Sequence, residues 1–533
     1  MNPGYDTAHP DPRRKIGYDC MFCHNGYPSI PAGHEEIGAE PKFIGAMPEG
    51  IDCQRCHGPG GAHVRAAQVA KPDAAEVRKA IVNPARLSND RKLEVCMQCH
   101  LETTSTRLPN SIRKFDRGPF SYRPGEPLSS FMLFFDHAAG TGRDEKFEIV
   151  SSAYRLRKSQ CFLKSNGALQ CITCHNPHDI PRGAAAVKHY NGVCRQCHAT
   201  SHAPTPNCIS CHMPKRRTDD VVHAVITDHL IQRRKPEWQA ALETAYHGEV
   251  VPYYPAKPAA EDALYVAAVQ VNQQSNLKEG IAKFPPPNRM EFFIVLGDAL
   301  KAAGETGKAI ANYEEAVRLK PGSALALRRL GVAKRDAAVL LRAAEAAPDS
   351  GEIQYEIGVL ASAQSRNADA VQAFETAVTL DPGLPDAYDR LGVALAGMDQ
   401  PARAEGAFRE ALKIDPRSAE ANGDLGLLLF RMNRFDEAQQ HLAEAVRLGK
   451  GMAEFHQLLG NLYERKGQIG SALGEYREAL RIRPGFLRPH LDIGAIYAAQ
   501  GHKAAAIEEF KRAAQSTDAE VRQMASEALR QLQ

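Results

Sequence analysis

Cys171-Ile172-Thr173-Cys174-His175-Asn176-Pro177-His178, Cys194-Arg195-Gln196-Cys197-His198 and Cys208-Ile209-Ser210-Cys211-His212 fall within 42 residues of one another. Each contains the pattern C-x-x-C-H. Working outward, the pattern recurs at Cys20-Cys23-His24, Cys53-Cys56-His57 and Cys96-Cys99-His100, which makes six copies. They use 12 of the 13 cysteines, and all 13 precede residue 212. The cysteine left over is Cys161.

This spacing is the attachment signature of c-type haem. Two thiols separated by two residues reach the two vinyl groups of one porphyrin as thioethers. The histidine that follows then offers its imidazole to the iron. A lone CxxC would also read as half a zinc site or a redox dithiol, and an even set of cysteines as disulfides. Zinc sites rarely put histidine after every second cysteine, and a redox dithiol would occur once. The expectation is therefore six covalent haems, with His24, His57, His100, His175, His198 and His212 as proximal ligands.

The motifs span 193 residues from Cys20 to His212, about one haem per 32. So short a stretch per cofactor predicts no separate hydrophobic core, with porphyrin faces as the core, wrapped by short helices and Pro/Gly-rich loops such as Gly58-Pro59-Gly60-Gly61. The last three motifs are spaced tightly enough for electron hopping between haems in near contact. Nine histidines in this region lie outside the motifs. The distal-ligand candidates are His63, His178, His137, His229, His34 and His202, with His9, His189 and His223 behind them. Cys161 reads as a small buried residue or a reactive thiol. Arg155, Arg157 and Lys158 read as counter-charges for haem propionates.

The composition, 43% hydrophobic and 24% charged over 533 residues, excludes disorder and collagen-like structure. Residues 1–236 carry +9 and the remainder −6, for a net +3. Each ferric haem with ionised propionates brings about −1, which takes the first region to roughly +3. The basic excess is internal compensation, and no nucleic-acid partner is expected. No run approaches the 18 apolar residues of a transmembrane helix.

Region 1–236 resembles the bacterial multihaem cytochromes c with doubled CxxCH motifs, related to the group of cytochrome c nitrite reductase and hydroxylamine oxidoreductase. The resemblance rests on Cys53–His63, Cys171–His178, Cys194–His198, Cys208–Pro214 and Asp228-His229. It implies electron transfer, and haem attachment outside the bacterial cytoplasm. The lysine-ligated motif C-x-x-C-K common in those nitrite reductases does not occur. Neither an apolar signal segment nor a basic n-region is visible at Met1–Asp6. A truncated or misplaced start is therefore expected, with a periplasmic or extracellular location.

From about residue 287 the chain is periodic. Glycines recur at 297, 331, 358, 392, 426, 460 and 494, in steps of 34 except for one of 27. Alanine follows each full-length glycine by 12 and 19 residues, with an aromatic or leucine at 16. This resembles the tetratricopeptide repeat, with seven copies and the second shortened; the end of its helix A and the turn are expected to be missing. The fold class is mainly α. A haem-packed, loop-rich domain (1–236) leads through a helical connector (237–286) to a solenoid (287–520) and a capping helix (521–533). His441, His456, His490 and His502 read as scattered surface or packing residues. The array is expected to dock a redox partner or to hold copies of the chain together. The function read from these features is an extracytoplasmic electron carrier. The alternatives are an oxidoreductase with one open haem acting on a small nitrogen or sulfur compound, and a polymerising cytochrome wire.

Overall fold

A computed structural model describes residues 17–48, 50–103, 110–143, 145–198, 207–219, 224–233, 248–272, 277–449 and 452–532. His9, His202, His223 and Trp238 lie outside the described residues. The chain divides into two compact units, one spanning Arg14–Lys334 and the other built on Arg335–Gln533.

In the first unit, short helices surround a small sheet. Strands β1 (Ser111–Arg113) and β2 (Met132–His137) pair antiparallel, Ile112 opposite Leu133. Two later strands, β3 (Lys215–Arg217) and β4 (Val225–Thr227), form a separate ribbon. The fifth, β5 (Val250–Tyr254), completes the first sheet on the other side of β2, with a register shift between Phe134 and Phe135. The central strand β2 is covered on both faces, so its apolar residues run consecutively instead of alternating.

The expectation that this region builds no core of its own is corrected here. Tyr18, Phe22, Met97, Tyr122, Phe131 and Tyr154 belong to one buried apolar cluster, against which Cys23, Cys99 and Cys171 pack part-buried. Leu133, Phe135, Val250, Tyr265, Ala268 and Phe292 belong to a second. Aromatic residues supply this: a few large rings bury as much area as many aliphatic side chains. The fifth and sixth motifs lie outside both clusters. Their helices, Gly183–Cys197 and Cys208–His212, bury only Asn191.

The segment 237–286 supplies strand β5 as well as the helices Ala263–Val271 and Leu277–Lys283. The same unit continues into the hairpin Met290–Ala302/Thr306–Leu319 and the helix Ala324–Lys334.

The second unit is a row of helix hairpins: Gly351–Ala363/Asn367–Leu380, Pro385–Gly397/Pro401–Ile414, Ala419–Arg431/Phe435–Leu448, Ala453–Arg465/Ile469–Ile482 and Arg488–Ala499/Lys503–Ala513. The helix Ala337–Ala346 precedes them and Ala519–Leu532 follows. The repeat frame is a packing rule. A Cβ on Gly392 would lie 2.6 Å from Phe408, one on Gly460 2.5 Å from Tyr476, and one on Gly494 2.7 Å from Phe510. The aromatic ring thus lies directly on the bare glycine. The two alanines of each full-length repeat, such as Ala404 and Ala411, are fully buried.

The shortened repeat differs from its expected form. Its first helix has 11 residues against 13 in a regular repeat, and its second has 10 against 14. Most of the deletion therefore removes the first turn of the second helix. Asp336 then serves as N-cap, accepting from the backbone N–H groups of Ala338 and Val339.

The repeat histidines are not all scattered. His456 and His490 occupy the same repeat position, and each pairs through Nδ1 with the glutamate 19 residues on, Glu475 (2.7 Å) and Glu509 (2.5 Å). At the preceding repeat the polarity is exchanged, with Asn422 facing His441 at 3.0 Å.

One carboxylate in the array is buried with its charge only partly offset, by Arg390. Asp389 is 5% exposed, and its Oδ1 has no hydrogen-bond partner among the described residues. Burial, followed by the nearby Asp424, pushes it up to about 7.

Candidate haem centres

All six motifs form a helical turn. The first occupies Tyr18–His24, the second Cys53–His57, the third the end of Asn89–His100, the fourth Cys171–Cys174, the fifth the end of Gly183–Cys197 and the sixth Cys208–His212. On a helix, positions i, i+3 and i+4 share one face. In the four motifs whose histidine lies within the helix, both thiols and the imidazole therefore project to the same side. In the fourth and fifth motifs the helix stops at the second cysteine, and His175 and His198 sit at C-caps with extended backbone.

Capping residues start these turns. Asp52 accepts from the Gln54 N–H (2.9 Å) and Asn207 from the Ile209 N–H (3.1 Å). Ser88 caps the third helix, and Gln170 and Thr173 form a capping box at the fourth. Gly58 ends the second motif at φ 77°, a backbone region that favours glycine.

The histidines are held in the way iron ligands require. Nδ1 of His57 donates to the Val82 carbonyl (2.8 Å), and Nδ1 of His212 to Gln232. Outside the motifs, Nδ1 of His63 donates to Val77 (2.8 Å), that of His34 to Glu40 (2.9 Å) and that of His229 to Thr227 (3.1 Å). A proton fixed on Nδ1 leaves the lone pair on Nε2, the arrangement that orients a metal-binding imidazole. Burial, and then His175, hold His229 below the ordinary histidine value. Burial likewise lowers His175 and His100. These rings are thereby biased to the neutral form that binds metal.

His189 is different: its Nε2 donates to the Cys174 carbonyl (3.0 Å), so the nitrogen that would bind iron is engaged. His137 ends β2, buried, with Nδ1 3.4 Å from Asp136 Oδ1. The neighbouring Asp136 Oδ2 accepts from the Tyr154 hydroxyl (2.6 Å). In the Asp228-His229 pair the carboxylate serves two arginines, not the imidazole.

Motifs distant in sequence touch. The thiols of Cys23 and Cys99 lie close enough to shift each other's ionisation, as do those of Cys96 and Cys171, and Cys208 likewise acts on Cys194. The neighbouring Cys23, and then burial, push the Cys99 thiol well up. The Tyr190 hydroxyl, from the helix of the fifth motif, shares a hydrogen bond with His175 Nδ1 at 3.2 Å. The His57 and His178 rings lie 5.9 Å apart. Contacts thus run from first to third, third to fourth, fourth to fifth and fifth to sixth, and the second motif touches the first and third through Arg55 as well as lying beside the fourth. Among the described residues no three His, Cys, Asp or Glu side chains converge as a bare ion site would need. The donor set fits haem c instead, in which the porphyrin supplies four ligands and the protein two.

Two features escape the motif pattern. Arg55, inside the second motif, is buried among the rings of Phe22 (4.8 Å), Tyr27 (4.6 Å) and Phe120 (5.2 Å). It donates to the carbonyls of Asn25 (2.8 Å), Gly26 (2.9 Å) and Met21 (3.3 Å), closing the end of the first motif's helix. A charged residue between the two cysteines was the only signal for it.

Arg155, read as a propionate counter-charge, is instead fully buried in a bidentate pair with Asp228 (2.9 and 2.8 Å), and Arg216 joins at 3.2 Å. Burial opposes the Asp228 charge, but the hydrogen bond and charge of Arg155 outweigh it and hold the carboxyl below its usual range. Arg157 lies over the Tyr253 and Tyr254 rings, and Lys158 over Tyr154. Cys161 is half-buried in the helix Gln160–Lys164.

A family model described as a doubled CXXCH motif matches residues 165–203, which include the fourth and fifth motifs. It points to covalently attached c-type haem. No curated protein matches the chain. Among solved structures, the chain is similar to Pseudomonas aeruginosa pilF at 21% identity and TM-score 0.34, covering 37% of this chain and 93% of that one. A tetratricopeptide repeat protein of Parabacteroides merdae is 17% identical at TM-score 0.37, with 46% and 98% covered. The APC/C hetero-tetramer Cut9-Hcn1 is 18% identical at TM-score 0.40, with 51% and 54% covered. A second family model matches 240–529, more than half of the chain, and on that match the protein belongs to the family of the cilia and flagella-associated protein 70 C-terminal domain, a helical repeat domain carried here behind doubled CXXCH motifs.

Proposed function

We propose that the protein is an extracytoplasmic multihaem c-type cytochrome, with six covalent haems, that carries electrons to or from a redox partner docked by its repeat array. The observation that supports this best is the contact order of the motifs. Contacts link the six motifs into one connected set, although the second and fourth, which lie side by side, begin 118 residues apart, at Cys53 and Cys171. Haem supplies one-electron redox chemistry when bound. The chain's own part is to fix His57, His212, His34, His63 and His229 by their Nδ1 bonds, to hold neighbouring motifs in contact, and to keep the buried rings neutral. The relation to the nitrite reductase and hydroxylamine oxidoreductase group belongs to this proposal. So does a periplasmic or extracellular location: among the described residues no helix is long and apolar enough to cross a membrane, and haem attachment to such motifs follows export in bacteria.

The test is the full chain matured in a bacterial periplasm with haem-attachment machinery. Intact mass should show six added haems, and the spectrum should be reduced and reoxidised reversibly. Zinc and free thiols in place of haem would overturn the proposal. A native high-spin haem that turns over nitrite or hydroxylamine would replace the carrier with an oxidoreductase, and concentration-dependent filaments would favour a wire.

A further inference from the structure

We propose that the second and fourth haems are bis-histidine centres with the axial pairs His57/His178 and His175/His229, which makes these two haems direct neighbours despite the third motif between them in sequence. This rests on the haem-attachment reading above.

Geometry carries the pairing. A metal–imidazole bond of about 2 Å, with a ring radius of about 1 Å, puts the centroids of two trans imidazoles roughly 6 Å apart. The His57 and His178 centroids are 5.9 Å apart, and those of His175 and His229 are 6.1 Å apart. Each pair joins one motif histidine to one histidine outside the motifs, as a proximal and a distal ligand must be. The ring planes meet at 27° and 40°. Rotation about an iron–nitrogen axis leaves that angle open.

The hydrogen bonds agree. His57 and His229 spend Nδ1 on the carbonyls of Val82 and Thr227, and His175 Nδ1 is engaged with the Tyr190 hydroxyl. In each of these three, Nε2 remains the coordinating nitrogen. His229 is further fixed from its own sequence neighbour. The ion pair of Asp228 with Arg155 pins the backbone on which the ring stands, and Asp228 also accepts from the Leu230 N–H at 2.9 Å.

The consequence for the haem order is direct. His175 and His178 are three residues apart on one segment, Asn176-Pro177 between them. One ligates the fourth haem and the other the second, so the two irons hang from a single short loop.

The experiment uses the matured full-length protein, with haem content by intact mass and spin state by electron paramagnetic resonance. His178→Ala and His229→Ala should each leave the haem count unchanged and convert one low-spin haem to high-spin. The pairing is decided by crossing these with motif deletions. With the second motif removed (Cys53→Ala, Cys56→Ala), His178→Ala should produce no high-spin haem, while His229→Ala still produces one. With the fourth removed (Cys171→Ala, Cys174→Ala), the pattern should reverse. A high-spin haem from His178→Ala in protein without the second motif overturns the pairing.

If a deletion protein does not mature, His178→Met and His229→Met in the intact motif set keep the test open. Each should give one haem the near-infrared band of histidine–methionine ligation, and an unchanged spectrum overturns the assignment. Absence of haem from the unmutated protein would instead refute the attachment reading.

Discussion

Replacing Asp389 with asparagine should stabilise the repeat array, and by an amount that depends on pH. Asp389 is 5% exposed, and its neighbours Asp424, Asp386 and Glu420 add negative charge that Arg390 only partly offsets. Burial and then Asp424 raise it from 3.8 to about 7. At about 1.4 kcal/mol per tenfold change, that gap is a ceiling of about 4 kcal/mol against the folded state when the carboxyl is ionised. The sign follows from linkage. The folded form holds its proton more tightly than the unfolded one, so no penalty exists below about pH 4, and stability falls as pH rises towards 7. Asparagine removes the charge but must place a buried amide, at a cost of about 1–3 kcal/mol. A net gain of roughly 1–3 kcal/mol is expected at pH 8, or about 2–10 °C for a unit of this size. The assay is far-ultraviolet circular dichroism melting of the full chain at pH 4.5 and pH 8, with haem absorbance followed separately. Equal effects of Asp389→Asn at both pH values, or destabilisation at pH 8, would refute the reasoning.

Gly392→Ala would bring a Cβ to 2.6 Å from the Phe408 ring, so overpacking of about 1–3 kcal/mol should lower the array's melting temperature; Gly406→Ala, with nothing near, should not. Arg155→Met leaves Asp228 buried and less well paired, and should cost about 3–5 kcal/mol in a urea titration of the first unit. Because Asp228 is held below its usual range, the contribution of this ion pair is present above about pH 4 and is lost as pH falls through the folded value, so the difference from Arg155→Met should shrink in acid. Cys194→Ala with Cys197→Ala should remove one haem by mass and leave the array's melting unchanged.

The repeat array was legible because its frame is local. Glycine, alanine and aromatic residues return every 34 positions, and each satisfies a contact between two helices adjacent in the chain. The cysteine motifs were legible for the same reason, since the distance from Cys53 to His57 is set within one turn. What the sequence hid is long-range. β2 has no alternation to announce a strand, because both its faces are covered. Arg155 carries the same letter whether it meets a propionate or Asp228, 73 residues away. The aromatic clusters in 18–154 gather rings from segments with no shared period, so the thinness of the chain per haem argued against a core that the rings nonetheless form. His456 and His490 stand in register, but the glutamates facing them lie on the following helix.

Arg55 has a consequence for the order of events in the making of the protein. It stands between the two cysteines of the second motif, yet its hydrogen bonds end the helix of the first, some 30 residues earlier. Were the chain exported from its N-terminus, as the proposed function requires, the first pair of thiols would emerge before the arginine that closes the end of its helix. Attachment machinery would then meet the first site as an open strand of peptide, and the clasp would shut only once the second site had followed. On that order, covalent modification would precede folding at that end of the molecule.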